Sequence, residues 1–249
     1  MNLKGRVALV TGATGGLGHS ICHALAAQGA NIVVGYNASF DKAQQVLQSL
    51  PDVEKGHLVA ACPVTDSAKL DDLRDQIQTY YGRCDIVVNC AGTTRFVAHA
   101  DLKSLDDQLI DSIFNTNVRG AIAVVRALQP LLQQSDGGLI VNISSIAART
   151  AMGSNIAYCA SKAALDNLTI SLARALAPNI RVISVSPGLS DTEFVKGLDQ
   201  DWRNIQAVST PLGRLALPEE IANAVVAVAT QLTFTTGAII PVDGGREIQ

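Results

Sequence analysis

The sequence predicts an α/β fold, a single doubly wound parallel sheet of about seven strands with helices on both faces. Three observations predict it. Short β-branched runs alternate regularly with Ala- and Leu-rich stretches, as a buried parallel sheet between helices requires. Nearly half of the 249 residues (48%) are apolar but only 4% are aromatic, so the core is aliphatic. No linker, repeat or low-complexity tract interrupts the rhythm, and the length suits one large domain, 1–249.

Period and punctuation place the elements in order. Arg6–Val10 is an apolar strand, and Gly16–Gln28 a helix closed by Gly29. Asn31–Tyr36 is the second strand, followed by a helix near Asp41–Leu50. His57–Ala61 is the third strand, and Asp66 is placed to cap a helix reaching Tyr81. Asp85–Asn89 is the fourth strand; a long helical segment over Leu105–Gln134 is expected to break near its start. Leu139–Ile143, the long helix Asn155–Leu176 and Ile180–Val185 come next. Asp191–Val208 reads as a polar, partly helical excursion, a substrate loop or lid near 189–208. Pro218–Leu232 is a helix with Pro and two Glu in its first turn, and Ala238–Val242 the last strand.

Composition excludes several classes. The net charge of −3 is scattered, with no basic cluster for nucleic acid and no polybasic patch for a membrane surface. No apolar run is long enough to span a bilayer, and the first residues lead straight into a strand, so a cytoplasmic protein is expected. Cys22, Cys62, Cys84, Cys90 and Cys159 form no CxxC pair and read as reduced thiols. His19 and His23 share a helix face but lack a third ligand, so no metal site is expected.

The first strand runs into Thr11-Gly12-Ala13-Thr14-Gly15-Gly16-Leu17-Gly18, directly before a helix. Glycines there let the backbone approach a pyrophosphate held at the positive helix end. A glycine-rich turn alone is weak evidence, but its place in the first βαβ unit favours a dinucleotide. With this TGxxxGxG loop the chain resembles the short-chain dehydrogenase/reductase family, a Rossmann-type fold. The resemblance continues through Asn89-Cys90-Ala91-Gly92 (NNAG in the family), Asn117, Ser145, Tyr158-Cys159-Ala160-Ser161-Lys162 (YxxxK) and Pro187-Gly188 with Thr192. It closes on Thr236-Gly237 and Val242-Asp243-Gly244-Gly245. Cofactor contacts are implied for Gly12, Thr14, Gly16, Leu17 and Gly18, and for Asn89, Ala91 and Gly92 after the fourth strand. The same is implied for Val64, for Pro187, Gly188 and Thr192, and for Tyr158 and Lys162.

The residues make a physical case of their own. Tyr158 and Lys162 are one helical turn apart on one face. A phenol titrates near ~10, too high for proton transfer at neutral pH, and a neighbouring ammonium with the positive nicotinamide is expected to lower it. Tyr158 then serves as acid or base between a ketone and a secondary alcohol, while Ser145, thirteen residues earlier, holds the same oxygen. By resemblance Asn117 positions a water relaying protons from Lys162. Each of these residues taken singly also fits a structural role, as a solvated face, a strand-end cap or a helix kink.

Cofactor choice rests on the end of the second strand, Tyr36-Asn37-Ala38-Ser39, where no acid stands to repel a 2′-phosphate. Tyr36, Asn37 and Ser39 are therefore candidate contacts, and NADP(H) is favoured over NAD(H). Against this, the glycine loop carries no cation, and Lys42 is the nearest. Pro63 replaces the family's adenine-binding Asp.

The substrate, a small carbonyl or alcohol compound, is expected among loops 93–96, 148–156 and 189–202, with Arg95 and Arg149 as candidate anion contacts and Trp202 in the lid. Within the family the closest resemblance is to 3-oxoacyl-carrier-protein and acetoacetyl-CoA reductases, yet the helix ends at Gln133-Gln134-Ser135-Asp136 and Ala177-Pro178-Asn179 lack the basic residues that carrier docking needs. The alternatives to a ketoreductase are an NAD-dependent catabolic alcohol dehydrogenase, a nucleotide-sugar epimerase and a non-catalytic NADP(H) sensor. The resemblance also implies a homotetramer, and Cys159, beside Tyr158, is expected to confer sensitivity to thiol reagents.

Overall fold

The computed structural model describes residues 1–52 and 56–248. Seven strands form one parallel sheet: β1 Val7–Val10, β2 Asn31–Tyr36, β3 Leu58–Ala61, β4 Ile86–Asn89, β5 Gly138–Ile143, β6 Ile180–Pro187 and β7 Ile239–Val242. Their order is β3-β2-β1-β4-β5-β6-β7. Leu9 stands opposite Val33 on one side and Val87 on the other, so β1 is buried on both edges and both faces.

Alternation along the strands divides the core in two. Ala8, Val10, Ile32 and Val141 face one layer, with α1 (Gly16–Ala27), α2 (Phe40–Ser49) and α10 (Pro218–Thr230) over it. Val7, Leu9, Val33 and Ile140 face the other, covered by α3 (Ser67–Tyr81) and α5 (Gly120–Gln133). Asp66 caps α3 as the sequence predicts, accepting from the Ala68 and Lys69 amides.

The long helical segment breaks in its middle and not near its start. α4 (Asp107–Phe114) passes into a π-turn, Asn115–Arg119, before α5. One element is additional to the sequence expectation and one is longer. A short helix α6 (Ala147–Thr150) lies in the β5 loop, and β6 extends to Pro187. α7 (Ile156–Leu176) begins after its cap, Asn155, and the 191–208 excursion forms α8 (Glu193–Lys196) and α9 (Gln200–Val208). No helix among the described residues is long and apolar enough to cross a membrane.

Candidate active site

The strand order reverses between β1 and β4, opening a crevice at the carboxyl ends of the strands. The Thr11 hydroxyl oxygen binds the two loops there, accepting from the Cys90 amide at 3.1 Å and the Ala91 amide at 3.0 Å. Gly12 has φ +63°, and a Cβ on it would lie 2.9 Å from the Ala91 Cα. A Cβ on Gly18 would overlap the Gly12 carbonyl, and one on Gly16 would meet Thr192 Cβ at 3.1 Å. The sequence glycines therefore stand where loops from β1, β4 and β6 converge.

α1 starts without a side-chain cap and without an acid in its first turn, and Gly15 and Gly16 are exposed. Its first amides and the positive end of its dipole face the crevice. A cradle closed to side chains and lined with free N–H groups fits a dinucleotide pyrophosphate. Thr14 and Leu17 are half-buried in the same loop.

At the end of β2, Tyr36 packs edge-on against Phe40, ring centroids 5.6 Å apart. Asn37 and Ser39 are exposed, and Ser39 starts α2 without spending its hydroxyl on a cap. Val64 is buried against Gly120, where a Cβ would come within 2.7 Å of it. Pro63 contributes its carbonyl to the Asp66 amide.

Tyr158 and Lys162 lie on α7, whose N-terminus is fixed by Asn155. This buried residue accepts from the Tyr158 amide at 2.7 Å and donates to the Arg95 carbonyl at 2.7 Å. Sequence reasoning missed Asn155, although an Asn three residues before a helical Tyr is a cap signature. Lys162 Nζ donates to the Ile143 carbonyl at 2.8 Å and lies 5.7 Å from the Tyr158 ring centroid. Burial draws the ammonium down to about 8. The Tyr158 phenol runs opposite to expectation. Burial pushes it above its ordinary value and the Ser145 hydroxyl pulls it back, while Lys162 is not among the groups that shift it.

Asn117 sits inside the π-turn, a geometry common at functional positions. Its Oδ1 accepts from the Thr93 amide at 2.8 Å, and its Nδ2 donates to the Thr93 carbonyl and to Ser161 Oγ, both at 3.1 Å. Ser161 in turn donates to the Tyr158 carbonyl at 2.8 Å. Gly92 lies against both Asn117 and Lys162. Asn89 differs from its neighbours: its side chain donates to Asn142 at 2.9 Å, which donates to Thr169 at 2.8 Å. The Asn89 Oδ1 is buried and has no hydrogen-bond partner among the described residues, so the side chain keeps a free acceptor.

Pro187 ends β6, Gly188 is half-buried against Asp243, and Thr192 caps α8. Four cations around the crevice are paired. Arg95 meets Asp106 at 3.1 Å, Arg149 meets Glu247 at 2.6 Å, Lys196 meets Glu193 at 2.8 Å and Arg203 meets Asp191 at 2.7 Å. α9 buries no side chain, and Trp202 on it is half-buried; Arg246 of the C-terminal turn Arg246–Ile248 donates to the Gln206 carbonyl at 3.2 Å. The five cysteines are free, and Cys159 is buried with its thiol pushed up.

Comparison with known proteins agrees with this geometry. Residues 12–247 match the family model described as enoyl-(acyl carrier protein) reductase. The chain is 34% identical over 247 residues to the 3-oxoacyl-[acyl-carrier-protein] reductase of Escherichia coli strain K12, covering 98% of each. Two Brucella melitensis structures superpose with TM-scores of 0.90. One, a short-chain dehydrogenase/reductase of glucose/ribitol dehydrogenase type, is 27% identical, with 98% of each chain covered. The other, a 3-ketoacyl-(acyl-carrier-protein) reductase complexed with NADH, is 29% identical, covering 98% of this chain and 99% of that one. A nicotinamide cofactor and a small-molecule substrate follow. With its glycine cradle, its Tyr158–Lys162 helix and these likenesses over nearly its whole length, the chain belongs to the short-chain dehydrogenase/reductase family of oxidoreductases acting on CH–OH groups.

Proposed function

We propose that this enzyme reduces a small ketone or 3-oxoacyl thioester to its secondary alcohol with NADPH, using Tyr158 as general acid. The observation that carries the reading is the convergence of Tyr158, Ser145 and Lys162 beside the glycine cradle. A nicotinamide held by the glycine cradle would supply the hydride. Tyr158 Oη gives its proton to the substrate carbonyl oxygen, and takes it back when the alcohol is oxidised. Ser145 donates a hydrogen bond to that oxygen. Lys162, anchored on the Ile143 carbonyl, adds a fixed positive charge beside Tyr158. Asn117 uses both side-chain amide hydrogens to fix Thr93 and Ser161, and by its place beside Gly92 and Lys162 positions a relay water.

NADPH is supported by the acid-free end of β2, with Asn37 and Ser39 exposed to a 2′-phosphate. A substrate whose reacting end carries no anion beside Arg95 or Arg149 is supported by the pairing of both with acids. The segment 189–208 serves as lid over one domain. Exposed Phe114, Ile122 and Ile170 on α4, α5 and α7 support assembly as a homotetramer. A second reading, NAD-dependent alcohol oxidation at the same site, is favoured by the cation-free Thr14-Gly15 stretch.

Fluorescence titration with NADPH and NADH, followed by NADPH consumption with ethyl acetoacetate and acetoacetyl-CoA, tests the reading. Tighter NADPH binding with turnover lost in Tyr158→Phe is expected. Tighter NADH binding would turn the search to alcohol oxidation.

A further inference from the structure

The residue that caps α7 does more than a cap requires. Closing a helix start takes one acceptor, and Ser or Asp supplies it as well as Asn. What an asparagine adds is an amide with two N–H groups, and in the buried Asn155 both are used. Its Oδ1 accepts from the Tyr158 amide at 2.7 Å, while its Nδ2 donates to the Arg95 carbonyl at 2.7 Å and to Thr94 Oγ1 at 3.2 Å. The two main-chain partners, one a donor and one an acceptor, fix which end of the amide faces which way.

The loop after β4 is stitched to the segment before α7 at neighbouring positions too. Thr94 Oγ1 and Ser154 Oγ share a hydrogen bond of 2.5 Å, and the buried Val97 donates its amide to the Ser154 carbonyl at 2.8 Å. A second asparagine holds the same loop one residue earlier. Asn117 of the π-turn brackets Thr93, accepting from its amide and donating to its carbonyl, and reaches the Tyr158 carbonyl through Ser161. The N–H of Tyr158 is thus tied to Thr94 and Arg95 by one asparagine, and its C=O to Thr93 by the other. The circuit is closed. Residues 93–95 and the main chain of Tyr158 move together or break buried hydrogen bonds, which leaves polar groups unsatisfied.

We propose that Asn155 is a positioning residue that, with Asn117, holds the 93–95 wall and the main chain of Tyr158 as one unit and so keeps the substrate wall in register with the phenol. Its side chain is spent on protein partners and acts through the placement of Tyr158, so its catalytic consequence rests on the function proposed above. Proton transfer needs the ketone oxygen within hydrogen-bond reach of the phenol. A misplacement of about 1 Å costs on the order of a hundredfold in rate. The same register decides which face of the ketone is turned to the hydride, so Asn155 bears on the enantiomer formed as well as on the rate.

The test is Asn155→Asp in the full chain. The carboxylate keeps an acceptor for the Tyr158 amide and sets an oxygen against the Arg95 carbonyl, so the cap stays and the clamp opens. Hydrogen exchange followed by NMR should show the Val97 amide exchanging about tenfold faster while the Tyr158 amide stays protected. In the reduction of ethyl acetoacetate, the ratio of the two ethyl 3-hydroxybutyrate enantiomers should shift by about threefold or more. A lower fraction of folded enzyme does not alter that ratio. Unchanged exchange at Val97 overturns the proposal, and so does an unchanged enantiomer ratio in a variant whose wall has loosened. If Asn155→Asp unfolds, or its Tyr158 amide loses protection, Thr94→Val removes one arm of the clamp, keeps Asn155 and is read by the same two criteria. If the wild type reduces no ketone, the function proposed above fails and the exchange alone decides the clamp.

Discussion

Lys162 donates a hydrogen bond from its ammonium to the main-chain carbonyl of Ile143 at 2.8 Å, tying α7 to the end of β5, two residues before Ser145. Its Nζ stands 5.7 Å from the centre of the Tyr158 ring. The backbone thus fixes where the ammonium stands relative to the phenol.

Replacing Tyr158 by Phe removes the transferable proton and keeps the ring. Turnover should fall by about a hundred-fold to ten-thousand-fold, with NADPH affinity little changed. Steady-state kinetics beside a fluorescence titration checks both halves. Near-normal turnover in the variant would remove Tyr158 from the chemistry.

The Lys162 ammonium titrates near 10.5 in an unfolded chain and about 8 in the fold. Between those values the unfolded chain holds a proton that the folded chain has released, so this group's contribution to stability rises with pH. The gain across the window is up to about 3 kcal/mol. Urea unfolding of wild type and Lys162→Met from pH 7 to about 10 should show the difference moving in favour of wild type. A flat difference would mean that burial does not penalise the charge.

Gly12→Ala meets two obstacles, a left-handed backbone at φ +63° and the Ala91 Cα at 2.9 Å. It should lose about 1–3 kcal/mol of stability together with cofactor binding. Gly82→Ala is the control: Gly82, at φ +72° after α3, faces open space, so it should lose stability alone. Thermal melts with and without NADPH separate the two.

Asn37→Asp places a carboxylate at the exposed, acid-free end of β2. The ratio of NADPH to NADH affinity should fall at least tenfold, about 1.4 kcal/mol. An unchanged ratio would mean that the end of β2 does not read the ribose.

Cys159 is buried and its thiol is pushed up by burial, so it is a poor nucleophile despite its place beside Tyr158. Activity should survive iodoacetamide. Inhibition that disappears in Cys159→Ser would show that the thiol opens to solvent.

Much of this arrangement was legible in the sequence. Strand positions follow from apolar runs, and the glycine loop and the Tyr158–Lys162 spacing are local patterns. The position of the helix break was not, because Asn115–Arg119 contains neither Gly nor Pro. Asn117's bonds to Thr93 and Ser161 accompany the break, and tertiary contacts leave no mark on periodicity. Arg149 looked available because its partner, Glu247, lies near the other end of the chain. Spacing gives the charges neighbouring Tyr158 and not its burial, which in the absence of a cofactor pushes the phenol up.

The π-turn also sets a phase between the two halves of one rod. Gly120 donates to the Asn115 carbonyl five residues back, so the segment accommodates a residue that an α-helix would not. One residue is about 100° of rotation. A single deletion within Asn115–Arg119 could restore an unbroken α-helix and still swing α4, with its half-exposed Phe114, about a quarter-turn around α5. Chain length in these five residues is therefore a steering angle for the Thr93 side of the crevice, and insertions or deletions there change where the substrate wall points before they change whether the helix forms.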